Sequence, residues 1–169
     1  MNVYIISDTH FNHKEKMVKW CGRPENYEEL LTKKLRQLTE KDLLIHLGDI
    51  TIGNASIVHK FVISQLRCRK ILVRGNHDKK SNTWYLNNGW DFVCEEFKDT
   101  LFGKNILFSH KPKPWDGEYN INIHGHFHNS DYRRNDPELF KIVNGYHKLF
   151  ALEYNDYKPI KLDKFIQYE

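Results

Sequence analysis

Five short polar islands, each directly behind an apolar run, constrain this 169-residue chain more than any other feature. They are Asp8-Thr9-His10, Gly48-Asp49, Gly75-Asn76-His77-Asp78, His110 and Gly125-His126-Phe127-His128. A buried strand has no use for a carboxylate, an imidazole or an asparagine at its exit, because each loses hydration there and needs a partner. A centre holding two metal ions uses all of them. The pattern predicts strands that deliver their last residues to one shared metal site, and metal-dependent hydrolysis as the chemistry.

The runs ahead of the islands, residues 3–6, 43–47, 70–73 and 105–108, are rich in β-branched residues, Leu or Phe, as in strands buried on both faces. Between them, 27–38 places Leu30, Leu31, Leu35 and Leu38 on one helical stripe, and 55–66 does the same with Val58, Phe61, Val62 and Leu66. Strands alternating with helices build a parallel sheet. Beyond Trp84, short strands at 91–94, 100–102, 121–123 and 140–143 among Gly and Asn turns predict an antiparallel or mixed second half.

Length predicts one domain over residues 1–169. Cys21, Cys68 and Cys94 form neither an even framework nor a C-x-x-C pair, which predicts free thiols in a reducing cytoplasm. The N-terminus lacks the sections of a signal peptide, and no apolar run approaches the roughly 20 residues of a membrane span. A cytoplasmic protein with no membrane partner is expected. The formal net charge of +4 suits a phosphate-bearing substrate.

Asp8 and His10 lie two residues apart as a strand ends, so their side chains are expected to face one way and share one ion. Oxygen and imidazole nitrogen without thiolate suit Mn, Fe, Zn or Ni and argue against Ca or Mg.

The order and spacing of the islands resemble the calcineurin-like metallophosphoesterase superfamily, whose signature reads D-x-H, G-D, G-N-H-D/E, a lone H and G-H-x-H. Within it, the opening Ile6-Ser7-Asp8-Thr9-His10-Phe11-Asn12-His13, Gly22-Arg23-Pro24 and the tail Tyr157-Lys158-Pro159-Ile160-Lys161-Leu162 resemble a group of small single-domain phosphoesterases of bacteria and phages. One departure is Ile50-Thr51-Ile52 after Asp49, where many relatives carry another acid.

The resemblance implies an α/β fold, a four-layer αββα sandwich of two packed mixed β-sheets flanked by helices. It implies two divalent transition-metal ions, with Mn first among the candidates. Asp8, His10 and His128 would hold one ion and Asn76, His110 and His126 the other, with Asp49 bridging. His77 would donate a proton to the leaving group, and Asp78 would hold and charge its ring. His13 and Arg23 are candidates for binding a second phosphate or the leaving group. His46 and His124 read as buried rather than ligating, His59 and His147 as surface or packing residues, and Trp115 as a local anchor that could otherwise stack on a base.

The implied function is hydrolysis of phosphodiesters or phosphomonoesters, with nucleotide or nucleic-acid substrates leading. One alternative is a dedicated DNA or RNA nuclease, which Arg133 and Arg134 keep open. The other is a non-enzymatic interaction module, against which stand His77 and the seven expected ligands.

Overall fold

Strands β1 (Asn2–Ile6), β2 (Asp42–His46) and β3 (Arg69–Val73) lie parallel, Ile5 beside Ile45 and Ile45 beside Ile71, in a computed structural model that describes residues 1–130 and 136–167. Each is Ile, Leu or Val rich because neither face meets water. Strand β4 (Phe92–Cys94) extends the sheet in parallel, and β9 (Ile160–Lys161) closes the other edge antiparallel to β1. The order is β4-β3-β2-β1-β9.

A second sheet runs β5 (Glu96–Leu101), β6 (Lys104–Ser109), β7 (Ile121–His124) and β8 (His147–Leu149). Strands β5 and β6 form an antiparallel hairpin, while β6, β7 and β8 are parallel, so the sheet is mixed. Helices α1 (Lys14–Cys21), α2 (Tyr27–Leu35), α3 (Ala55–Phe61), α4 (Asn82–Asn87), α5 (Pro137–Ile142) and α6 (Leu162–Gln167) complete the fold. Ile5, Leu44, Ile45 and Leu72 from the first sheet and Ile106, Phe108 and Ile123 from the second belong to one buried cluster. Burying each such side chain contributes about 1.5–3 kcal/mol, which is what holds sheet on sheet.

Three expectations need correction. Residues 140–143 are not a strand. Asp136 accepts the Leu139 amide at 3.2 Å, Pro137 occupies the first turn and Glu138 follows, so the segment starts helix α5 instead. The second helical stripe stops short, because α3 ends at Phe61 and a 3-10 turn, Ile63–Gln65, follows. Phe61 consequently points outward and is 56% exposed. Leu30, on the first stripe, is only half-buried.

Strands β1, β2 and β3 end at Ile6, His46 and Val73, and β6 and β7 at Ser109 and His124, each within a few residues of an island. All five islands therefore occupy loops at the carboxyl ends of parallel-paired strands, where α/β sheets form their binding crevice.

Candidate metal centre

The loops that carry the islands are tied to one another by backbone. The Asp8 amide donates to the Gly48 carbonyl at 2.9 Å, His10 to Asp49 at 3.0 Å, and Gly125 to His110 at 3.0 Å. The ties force unusual conformations. Asp8, His10, Asp49, His126 and His128 all have positive φ, between 46° and 74°. For a residue with a Cβ that region costs about 1–3 kcal/mol, and such strain gathers at functional sites. Glycine is required where loops touch: a Cβ at Gly75 would collide with the Asp49 carboxylate, and one at Gly125 with Ser7 Oγ and Asp8 Oδ2.

Asp8, His10 and His128 form the first donor group. Asp8 Oδ2 is occupied, accepting from Ser7 Oγ at 2.5 Å and from the His126 amide at 2.9 Å. Its Oδ1 is buried without a hydrogen-bond partner, 3.8 Å from His10 Nε2 and 3.7 Å from His128 Nε2. Both ring nitrogens of buried His10 also lack partners. Buried polar atoms left unpaired cost about 1–3 kcal/mol each, and a cation shared among them removes that cost.

Asp49, His110 and His126 form the second group, joined by Asn76. His110 Nδ1 donates to the Leu47 carbonyl at 2.7 Å, which turns Nε2 toward the other donors. That nitrogen lies 3.0 Å from Asn76 Oδ1, 3.2 Å from His126 Nδ1 and 3.5 Å from Asp49 Oδ2. Asp49 Oδ2 is in turn 3.6 Å from His10 Nε2. The orphaned buried atoms and the all O/N donor set fit a bound metal cation.

Electrostatics follow the same division. Burial lowers the His10 ring to about 4 and the His126 ring to about 3, so both offer neutral nitrogens. Burial also pushes Asp49 up to about 7, against the pull of His110 and with Asp8 and Asp78 adding to the rise. Burial works against the charge on Asp8, yet His128, His10 and His110 hold its carboxyl well below the usual range. Burial likewise opposes charge on His128, but Asp8, Cys21 and Glu153 carry that ring up to about 10.

The donors open onto a cavity of about 340 Å³ whose wall includes His10, His13, Asp49, His77, His126 and His128. A larger groove of about 590 Å³ between α2 and α3 holds no such donor set, so chemistry rather than size picks out the smaller one.

A profile of the calcineurin-like phosphoesterase family matches residues 1–165. The chain belongs to that family. An uncharacterized protein of Methanocaldococcus jannaschii is 29% identical over 178 residues, 98% of this chain and 89% of the relative. A crystal structure of a protein of unknown function from Aquifex aeolicus is 28% identical, covers 98% of each chain and superposes with a TM-score of 0.74. The nuclease MPE of Pseudomonas putida, 19% identical with a TM-score of 0.50 over 75% of this chain and 61% of its own, shares the fold.

In this calcineurin-like phosphoesterase His77 stands at the cavity, 44% exposed, its Nε2 3.9 Å from Asp49 Oδ2 and its amide bonded to Asp49 Oδ1 at 2.8 Å. Burial and the neighbouring His110 lower its ring pKa. His13 lines the same cavity, its ring centroid 5.7 Å from that of His10.

Asp78 departs from its expected role. Its carboxylate accepts the amides of Asp49 and Gly75 at 2.8 Å and of Ile50 at 3.1 Å, and no hydrogen bond joins it to the His77 ring among the described residues. It braces the two loops that carry Asp49 and Asn76. Arg23 departs further. Its side chain is fully buried behind the donors, with Nη1 on the Thr9 carbonyl at 3.1 Å, Nη2 on the Asp8 carbonyl at 2.8 Å and Nε on Glu153 at 2.8 Å. With Nη2 also 3.2 Å from His128 Nδ1, the guanidinium is held behind the donors and does not line the cavity.

Glu153 was invisible to motif reading because nothing around it in the chain resembles an island. It lies 3.5 Å from His128 Nδ1, on the side of the ring away from Asp8. His46 is buried and bonded to Thr9 Oγ1 at 3.0 Å and to the Gly48 amide at 3.1 Å. His124 is buried and bonded to the Gly125 carbonyl. His59 is buried against the rings of Trp84 and Tyr85. Trp115 stacks on Tyr146 at 4.6 Å, the local anchor anticipated for it. Arg133 and Arg134 lie outside the described residues.

Proposed function

We propose that residues 1–169 form one metallophosphoesterase domain that binds two divalent transition-metal ions and hydrolyses phosphodiesters or phosphomonoesters, nucleotide or nucleic-acid esters first among them. The observation that carries this reading is the position of Asp49 Oδ2, 3.6 Å from His10 Nε2 and 3.5 Å from His110 Nε2, within reach of both donor groups. Asp8, His10 and His128 would hold one ion, and Asn76, His110 and His126 the other, with Asp49 shared. Mn leads Fe, Zn and Ni as the candidate metal. When bound, such a pair supplies a positive field for the phosphate oxygens and lowers the pKa of a shared water to about 7.

The chain's own part is to orient groups and move a proton. In hydrolysis the water oxygen forms a new bond to phosphorus and gives up a proton to solvent, the ester P–O bond breaks, and its electron pair leaves on the alcohol oxygen. The His77 ring, over the cavity and held by its backbone to Asp49, donates hydrogen to that oxygen. His13 would orient the phosphate or the leaving group from the α1 side. The neutral Asn76, in place of a third carboxylate, keeps the field at the phosphate positive. The three free cysteines are consistent with a cytoplasmic setting, and no helix among the described residues is long and apolar enough to cross a membrane.

The test is hydrolysis of bis-p-nitrophenyl phosphate and p-nitrophenyl phosphate by metal-stripped protein re-supplied with Mn, Fe, Zn, Ni or Mg. Metal-restored cleavage supports the reading, and the ratio of the two rates separates diester from monoester preference. No turnover on either ester or on nucleotides, with two ions bound, would sink it.

A further inference from the structure

One stripe of α1 faces the metal cavity. His13 immediately precedes the helix, and Met17, Trp20 and Cys21 follow four, seven and eight residues later, the spacing that keeps side chains on one face. Met17 and Cys21 are buried in the core cluster, and His13 stands beside His10. Trp20 is different. It lines the cavity with the donors, yet it is 63% exposed and takes no part in the core. An indole left in water forgoes the burial that favours tryptophan elsewhere, and aromatic surface at the wall of a polar pocket marks a ligand contact.

The dimensions narrow the ligand. The cavity, at about 340 Å³, falls in the lower part of the roughly 300–1,000 Å³ typical of small-molecule sites. From His13 to Trp20 the helix rises about 10 Å, a distance that a sugar and its base can bridge from a phosphate held at the donors. Lys16 Nζ lies 5.1 Å from the centroid of the Trp20 ring, so a cation flanks the indole as well. The remaining exposed ring surface suits a planar, uncharged partner.

We infer that Trp20 is the stacking surface for an aromatic ring carried by the substrate, and that the site is built for esters of nucleosides, a mononucleotide unit filling the space between His13 and Trp20. The inference rests on the phosphoesterase reading above, which put nucleotide esters first, and adds the residue that takes the base. Stacking tolerates every base because each has a π-face, so selectivity should be for the presence of a base rather than for its identity.

The other strongly exposed indole among the described residues provides a control. Trp115 is 47% exposed, but it stacks on Tyr146 with an 8° interplanar angle and its Nε1 donates to the Tyr119 carbonyl at 3.2 Å. It does not line the metal cavity.

Adenosine 5′-monophosphate and ribose 5-phosphate differ only by the base, and their binding to metal-loaded protein can be compared by titration calorimetry. Wild-type protein should bind the nucleotide roughly 5- to 150-fold more tightly, the range stacking supplies. Trp20→Ala should bring that ratio close to one, Trp20→Phe should retain most of it, and Trp115→Ala should leave it unchanged. Equal affinity for the two compounds in wild-type protein, or a ratio untouched by Trp20→Ala, overturns the inference while leaving the phosphoesterase reading intact. Binding of neither compound to protein with two ions also overturns the inference, and the aryl ester assay then decides the phosphoesterase reading separately.

Discussion

His110 gives its Nδ1 hydrogen to the carbonyl of Leu47 at 2.7 Å, a bond that crosses from the end of one sheet to the end of the other. It fixes the ring tautomer and turns Nε2 toward Asp49 and Asn76. Partners of this kind orient a metal-binding imidazole, and their loss typically weakens affinity about 10–100-fold.

Removing a donor should therefore remove an ion. Asp49→Ala and His110→Ala should each lower metal content below two ions per chain and bring turnover to background. Elemental analysis beside the aryl ester assay is the check. Full metal content and full rate in either variant would refute the paired site.

His77→Ala should behave differently, since the ring lies near Asp49 without belonging to either donor group. Both ions should remain while kcat falls about 10²–10⁴-fold. The loss should grow as the leaving alcohol becomes less acidic. A uniform loss across a series of aryl and alkyl esters would argue against hydrogen donation to the leaving oxygen.

Arg23 and Glu153 form a pair with side chains 0% and 4% exposed. Truncating one member of a buried pair leaves the other charge stranded, at about 3–5 kcal/mol. Arg23→Ala should lower the urea midpoint accordingly, with no selective rise in KM among the molecules that stay folded. A normally stable variant with a raised KM would restore the substrate-binding role that its place in the sequence suggested.

The metal-stripped protein should weaken in mild acid, and His46 is one cause. Burial lowers its folded-state pKa to about 3, against about 6.5 in the unfolded chain. Above pH 6.5 the ring is neutral in both states and contributes no slope. As pH falls from about 6.5 toward 3 only the unfolded chain takes up the proton, so stability is lost by up to about 1.4 kcal/mol per pH unit. Urea titrations at pH 7.5, 6 and 5 should show the decline, and His46→Gln should flatten it by about one proton. Identical slopes in the two proteins would contradict this.

The expected donors could be grouped from the sequence because they lie within a few residues of the ends of apolar runs, and parallel strands bring such positions together whatever the loops between them do. Arg23 was misread for the opposite reason. Beside a metal motif it looked like a phosphate contact, and only folding reveals that Glu153, 130 positions later, neutralises it. Asp78 adjoins His77 in the chain, but its side chain turns toward three amides, a choice set by the approach of two loops that no spacing encodes. Residues 140–143 have a strand-like composition, yet the Asp136-Pro137-Glu138 start outweighed it. Trp20 went unnoticed because an eight-residue helix with one large aromatic looks like any short amphipathic segment until its face is known.

The donors stand on opposite banks of a seam. Asp8 and Asp49 follow strands of one sheet, His110, His126 and His128 follow strands of the other, and the Asp8 carboxylate already grips the amide of a residue 118 positions away. An ion lodged there would act as a rivet through both banks. A chelator should then be felt first as slippage of one sheet against the other, before any strand parts from its neighbour.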